Sequence, residues 1–295
     1  MKAISLAAYG PPEALKLVEL PMPKINGNEV LVKNAVASIN PYDWMVRNGS
    51  MWFMAGFKFP KILGGETAGV VAEVGHAVKE FRVGDRVIVF LGRAGGYSEF
   101  VAVPESKVIP LPEGVSFRFG AALPIAATTA LDALYELGKI KRGDHVLING
   151  AYGSVGSFAV QLAKEVGAHV TAVCSSVNFD GVKQLGADEV IDYTKTNFTE
   201  NGKKYDLIFD TPSVLKFSDT KKSLNENGML ISTLPSPLGM INMVLNAVRK
   251  QKFKIIFADP TKLKILKLAQ WVSEGKLSVI IDRESSVTDS RCTSV

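Results

Sequence analysis

Apolar and polar residues alternate in short runs over roughly the first 110 positions of the chain. EVLVKNAVASIN (Glu29–Asn40) alternates well enough to predict a strand. TAGVVAEVG, GDRVIVF and YSEFVAV are short, β-branched and bounded by Gly, Asp or Pro. The N-terminal MKAISLAAYG reads as the first strand of a fold, and this spacing predicts a small, partly closed barrel. From about Ser116 the period changes. FGAALPIAATTALDALYEL is long and Ala/Leu-rich enough for a helix bent at Pro124. Strands HVLING, AHVTAVC, EVIDY, YDLIFD and GMLISTL then alternate with helices, which predicts a parallel, doubly wound sheet with right-handed crossovers. A last helix, PTKLKILKLAQWVSEGK, precedes a last strand, LSVIID. The expected division is a barrel domain over 1–120, with 261–282 returning towards it, and an α/β domain over 121–260. The tail 283–295 is polar, Ser/Thr-rich and without period, and is expected to be disordered.

VLINGAYGSVGSFAVQLAK (Val146–Lys164) runs from buried strand through a glycine turn into a helix. Ala151, Gly153 and Gly156 take the three positions of a GxGxxG dinucleotide fingerprint, with Ala at the first. A small residue suits the turn at Ala151. Gly153 lets backbone approach a pyrophosphate, and Gly156 lets the helix pack against the strand. The backbone N–H groups of Ser154 and Val155 open the helix and are placed to hold the phosphates.

Composition narrows the class. The chain has 295 residues, 47% hydrophobic, which suits about two domains. No apolar run reaches the roughly 18 residues of a membrane span. The N-terminus lacks the patterns of signal and transit peptides, so the expected location is the cytoplasm, with an organelle reached without a cleavable peptide as the alternative. Cys174 and Cys292 make no disulfide framework or zinc spacing. His76, His145 and His169 show no ligand spacing, so no metal is expected. A net charge of +5 and the late lysines in 249–254 and 262–267 fit a solvated face, or at most peripheral membrane contact; no nucleic-acid partner is expected.

ASINPYDW, LGGETAGVVAEVG, GDRVIVF, LPIAATTALDAL, NGAYGSVGSFAVQLAK, LGADEVIDY and YDLIFDTP occur in order from Met1 to about Asp282. Together they resemble the medium-chain dehydrogenase/reductase superfamily, in its zinc-free quinone-oxidoreductase branch, and within it the plant chloroplast-envelope-like alkenal/enone reductases. The resemblance implies a GroES-like barrel domain, a Rossmann NADP(H)-binding domain, an active site in the cleft between them, and a homodimer. Zinc-dependent relatives carry Cys at the position of Asn40 and His at that of Gly65, and neither residue here is a zinc ligand. By the same resemblance Asn40 is a polar contact near the nicotinamide or substrate, with Asp43 beside it, and Thr129 contacts the nicotinamide end. Tyr42 either donates a hydrogen bond or packs; some relatives have a tyrosine where this chain has Met45. Asp43 also suits a helix cap. MWFMAGFKF (Met51–Phe59) is either an apolar substrate wall or packing.

NAD sites place an acid at the end of the second strand. Here the strand ends in Ser175, Ser176, Val177 and Asn178, and the nearest acid is Asp180. Two hydroxyls and an amide leave room for a 2′-phosphate, so NADPH is the expected cofactor, unless the serines are a plain polar loop. Tyr193 matches a tyrosine that relatives place there. The basic residue they add near Asn178 is missing, with Lys183 the nearest candidate. Without zinc polarisation, the expected reaction is hydride transfer from NADPH to a small apolar quinone or to the β-carbon of an enone, acceptors that delocalise incoming charge. Relatives usually continue beyond such a VID strand with a further helix and strand, where this chain has RESSVTDSRCTSV. The alternative expectation is therefore an NADP(H)-binding pseudoenzyme or regulatory protein without turnover, its barrel left with an open sheet edge.

Overall fold

Eight strands shape the N-terminal part: β1 (Lys2–Leu6), β2 (Leu15–Glu19), β3 (Glu29–Ala37), β4 (Lys61–Ile62), β5 (Glu66–Val74), β6 (Arg86–Phe90), β7 (Phe100–Pro104) and β8 (Val108–Pro110). The structure, a computed structural model, describes residues 1–92 and 94–285. The chain divides into two units. Among the described residues, the first is 1–125 with 260–274 and 281–285; the second is 126–259 with 275–280.

In the first unit β5 pairs antiparallel with β3 and β6, within a five-stranded sheet ordered β7-β3-β5-β6-β8. A three-stranded sheet, β2-β1-β4, completes its strand set. Alternation turns Val30, Val32, Val71, Val87, Val89, Val101 and Val103 into one core that also takes in Phe81 and Val108. Each buried valine contributes about 1.5–3 kcal/mol, so the period-two pattern is what gives this sheet its buried apolar face. Three short helices follow the strands' ends: α1 (Pro41–Arg47), α2 (Trp52–Ala55) and α3 (Phe117–Ala121). The apolar segment Met51–Phe59 divides its roles. Met51, Ala55 and Phe59 pack with Leu6, Val46 and Leu63, while Trp52, Phe53, Met54 and Phe57 are exposed.

The long helix expected around Pro124 is broken up. A π-turn, Leu123–Ala127, leads into α4 (Thr128–Leu131) and a second π segment, Asp132–Leu137. Proline lacks an N–H and crowds the carbonyl four residues back; a widened turn absorbs both faults.

The second unit is one parallel sheet of β9 (His145–Asn149), β10 (His169–Cys174), β11 (Glu189–Asp192), β12 (Tyr205–Asp210), β13 (Leu224–Ser232) and β14 (Lys252–Ile255). Their spatial order is β11-β10-β9-β12-β13-β14, the doubly wound Rossmann order. Central strands are buried on both faces, which is why they read as unbroken apolar runs. Connections carry α5 (Ser154–Val166), α6 (Phe179–Gln184), α7 (Phe217–Thr220) and α8 (Pro237–Val244). Leu147, Val173, Ile208, Leu230 and Phe253 belong to the core of this unit. The fold is therefore α/β, a GroES-like barrel unit and a Rossmann unit.

The chain returns to the first unit as α9 (Lys262–Ser273), which packs on β8 and buries Ile265, Leu268 and Ala269. The strand expected in LSVIID does not form. The Gln161 side chain takes its backbone instead, accepting from Ser278 N at 2.7 Å and donating to Ser278 O at 3.0 Å. Residues 275–280 thus belong to the second unit, so the return towards the barrel is interrupted there. Of the tail expected to be disordered, 286–295 lies outside the described residues; within it, Glu284 pairs with Arg118 at 2.8 Å.

Candidate functional site

The end of β3 and the start of α1 form a buried polar knot. Pro41 at the first helical position presets the helix. The Asp43 carboxylate accepts the Asn40 N–H at 2.8 Å and the Gly64 N–H at 3.1 Å. Asn40 and Asp43 form a capping box, so the cap role expected of Asp43 is present. The Asn40 amide then donates from Nδ2 to Glu66 Oε1 at 2.8 Å and to Ser38 Oγ at 3.2 Å. Glu66, first residue of β5, is 1% exposed. Its Oε1 also accepts from the Ser38 hydroxyl, and its Oε2 accepts Ile125 N–H at 2.7 Å. Burial pushes the Glu66 carboxyl up to about 7, against these donors, with the Asp43 charge adding to the rise. Burial raises Asp43 as well.

Asn40 and Asp43 are thus brought together, with Tyr42 between them in sequence on the first turn of α1. Its ring packs part-buried with Leu6, Val46 and Leu63. Glu66 escaped the sequence reading because GGETAG looks like an ordinary strand start. Its signal was an acid inside an otherwise apolar strand, which a sheet tolerates only with partners.

In the second unit the glycine turn sits at the C-terminal end of β9. Gly150 and Ala151 donate to Val173 O of β10 at 3.0 and 3.1 Å. Gly153 is the N-cap of α5, and Ser154 and Val155 begin the helix. The first N–H groups of a helix have no partner within it. At Gly156 a Cβ would stand 2.1 Å from Gly150 O and 2.8 Å from Ala151 Cα, so only glycine lets α5 approach the turn. A Cβ at Gly153 would meet only Gly150 O, at 3.3 Å.

Ser175, Ser176 and Asn178 follow β10 directly beside this turn, as the parallel pairing of β9 and β10 requires. Asn178 Nδ2 donates to Ser175 Oγ at 3.3 Å. Ser176 is a hydrogen-bond partner of Asp192, whose carboxyl is held below its ordinary value first by the Thr194 hydroxyl and N–H. Tyr193 is exposed next to it. Lys195, missed in the sequence, stands 3.5 Å from Asp192 Oδ2 and supplies a cation at this strand end. Its signal was the spacing of VIDYTK, an acid and a lysine three apart on one turn.

Thr129 lies buried on α4. Its neighbour Thr128 has a buried hydroxyl without a hydrogen-bond partner among the described residues. Asp210, at the end of β12, accepts from Asn149 Nδ2 at 2.8 Å and Leu215 N at 2.7 Å, tying the ends of two central strands together; burial raises its carboxyl. His145 and His169 start β9 and β10, at the opposite strand ends from the glycine turn. Cys174 ends β10, buried. Among the described residues no group of three or more His, Cys, Asp or Glu could hold a metal ion.

The comparisons agree with this architecture. Residues 26–113 match the alcohol dehydrogenase GroES-like domain, and residues 185–290 match a family described as zinc-binding dehydrogenase. A chloroplastic quinone oxidoreductase of Triphysaria versicolor is 38% identical over 98% of this chain and 92% of its own. A chloroplast envelope quinone oxidoreductase homologue of Arabidopsis thaliana is 36% identical, covering 96% of this chain and 90% of its own. The structure of a quinone oxidoreductase from Coxiella burnetii superposes with a TM-score of 0.89 at 30% identity, covering 100% of this chain and 93% of that one. An Escherichia coli quinone oxidoreductase in complex with NADPH gives 0.81 at 25% identity, over 95% and 90%. With barrel, Rossmann sheet and near full-length relatives in agreement, this chain belongs to the medium-chain dehydrogenase/reductase superfamily, in its quinone-oxidoreductase branch.

Proposed function

We propose that this protein is a zinc-independent reductase that transfers a hydride from NADPH to a quinone or to the β-carbon of an α,β-unsaturated carbonyl. The observation that carries the cofactor is the glycine turn. The fold itself demands glycine at Gly156, while at Gly153 a Cβ would meet one backbone atom, Gly150 O at 3.3 Å, and its absence leaves the start of α5 open to the close approach of a pyrophosphate. Ser154 and Val155 N–H groups would hold the pyrophosphate. Ser175, Ser176 and Asn178 offer donors to a 2′-phosphate, with Lys195 and Tyr193 at the next strand end. The unpartnered Thr128 hydroxyl, beside Thr129, suits a polar group at the nicotinamide end.

Zinc does not fit the positions that hold it in zinc-dependent relatives. At Gly65 even a Cβ would lie 2.8 Å from Gly92 O and 3.2 Å from Ile125 Cδ1, so no side chain reaches out from there. The Asn40 amide is already engaged by Glu66 and Ser38. A bound NADPH would supply the hydride from C4, and the protein's own part is to fix position and keep water away. Quinones and enones suit such a site because they need no Lewis acid. The relatives named chloroplastic favour the organelle alternative for location.

The test is oxidation of NADPH with a panel of quinones, alkenals and saturated ketones, with NADH alongside and chelator added. Turnover of quinones or enones, NADPH preferred and chelator without effect, is the expected result. Binding of NADPH with no turnover on any acceptor would overturn the reductase assignment.

A further inference from the structure

An NAD site takes its acid from the end of the second strand, here β10, and that place is held by Ser175 and Ser176. An acid nevertheless stands beside the serine loop, delivered by the neighbouring strand. In the parallel ladder Asp192, the last residue of β11, pairs with Cys174, the last residue of β10. Tyr193 N then donates to Cys174 O at 3.4 Å, so the turn after β11 stays against the start of the serine loop. The Ser176 side chain is a hydrogen-bond partner of the Asp192 carboxylate. All of these residues belong to the second unit.

Asp192 is 7% exposed, and its two oxygens are served differently. Oδ1 accepts the Thr194 N–H at 2.9 Å and the Thr194 hydroxyl at 2.7 Å. Oδ2 is buried and accepts no hydrogen bond among the described residues; Lys195 Nζ stands 3.5 Å from it. The turn fixes where that lysine begins, because Asp192 O accepts Lys195 N–H at 3.1 Å and Thr196 N–H at 2.9 Å. The lysine side chain is 71% exposed. Its ammonium carries three N–H donors, enough to serve Asp192 and a second anion together.

An uncompensated carboxylate here would repel a 2′-phosphate and suit the ribose hydroxyls of NADH. On the reading of the protein as an NADPH-binding enzyme, on which this inference rests, we propose that Lys195 sets the preference for NADPH. It cancels the charge of Asp192 and donates to the 2′-phosphate, and Asp192 is the positioning residue that holds it at the serine loop. The basic residue missing beside Asn178 is thereby supplied from the next strand end.

The test compares adenosine 2′,5′-bisphosphate with adenosine 5′-monophosphate, which lacks the 2′-phosphate, by calorimetry on the full chain. Lys195→Gln is expected to weaken the bisphosphate by roughly tenfold or more and to leave the monophosphate unchanged. Lys195→Arg keeps the charge and is expected to keep the preference. Adding Asp192→Asn to Lys195→Gln removes the uncompensated acid and is expected to restore part of the lost affinity. A role confined to the fold would shift both nucleotides alike.

Unchanged bisphosphate affinity in Lys195→Gln overturns the inference, and so does a loss equal for the two nucleotides. Lys195 is exposed, so neither result depends on a change in the core. A double variant that binds the bisphosphate no better than Lys195→Gln overturns the part given to Asp192. Failure of the wild type to bind either nucleotide would instead overturn the cofactor reading itself, so the two failures are distinguishable.

Discussion

Glu66 shows how one buried carboxyl couples a site to stability. Its pKa rises from 4.5 to about 7 in the folded protein, chiefly through burial. Between those values the folded state holds a proton that the unfolded state has released. Stability must then fall as pH rises through this window and level off above it, the opposite of an acid held in an ion pair. The size is about 3 kcal/mol at most, since each pH unit across the window contributes roughly 1.4 kcal/mol. Denaturant unfolding of wild type and Glu66→Gln between about pH 5 and pH 8 checks it. The wild type should lose more stability over that range than the variant. Parallel curves would mean that Glu66 is ionised throughout. None of this was visible from the residue alone. An acid at the head of an apolar strand signals a partner, but the sequence does not say that the partners are Ser38, Asn40 and Ile125, the last 59 positions away.

Elements divide by how local their causes are. The turn from β9 into α5 was readable because each of its demands is met by a neighbour in sequence, glycine at Gly156 above all. Gly156→Val should separate α5 from the turn and cost several kcal/mol, since its Cβ overlaps backbone that cannot move aside. Thermal unfolding and NADPH titration of the variant check this, with loss of both expected. The failed strand in LSVIID has a distant cause. Its backbone is claimed by the side chain of Gln161, 117 positions earlier, and an alternating apolar run cannot reveal that rival. The broken helix around Pro124 is intermediate: proline announced a fault, while the choice of a π-turn over a bend depended on packing.

At the scale of the molecule, each unit has a hydrophobic core of its own, valine-rich in the barrel and mixed aliphatic and aromatic in the Rossmann sheet. The proposed cofactor contacts on the glycine turn and the serine loop all lie in the second unit. Adenosine 2′,5′-bisphosphate at about a hundred times its dissociation constant should therefore stabilise that unit by about 2.7 kcal/mol. Scanning calorimetry checks this; a shift equal with the 2′-dephosphorylated nucleotide would remove the preference for NADPH. Fold class and family were legible across the sequence because order and spacing of motifs survive where single contacts do not. Unit boundaries were less so, since 275–280 join the second unit through contacts that no local pattern encodes.

Cys174 ends β10 close to the proposed adenosine site, and burial pushes its thiol above the ordinary value. Enones and quinones are electrophiles that alkylate cysteines, and they attack the thiolate far faster than the thiol. A protein that works among such molecules gathers them near its own side chains. With its sulfur protonated and covered, Cys174 is a poor target, so the strand end that borders the cofactor is protected from modification by the very compounds the protein is proposed to reduce.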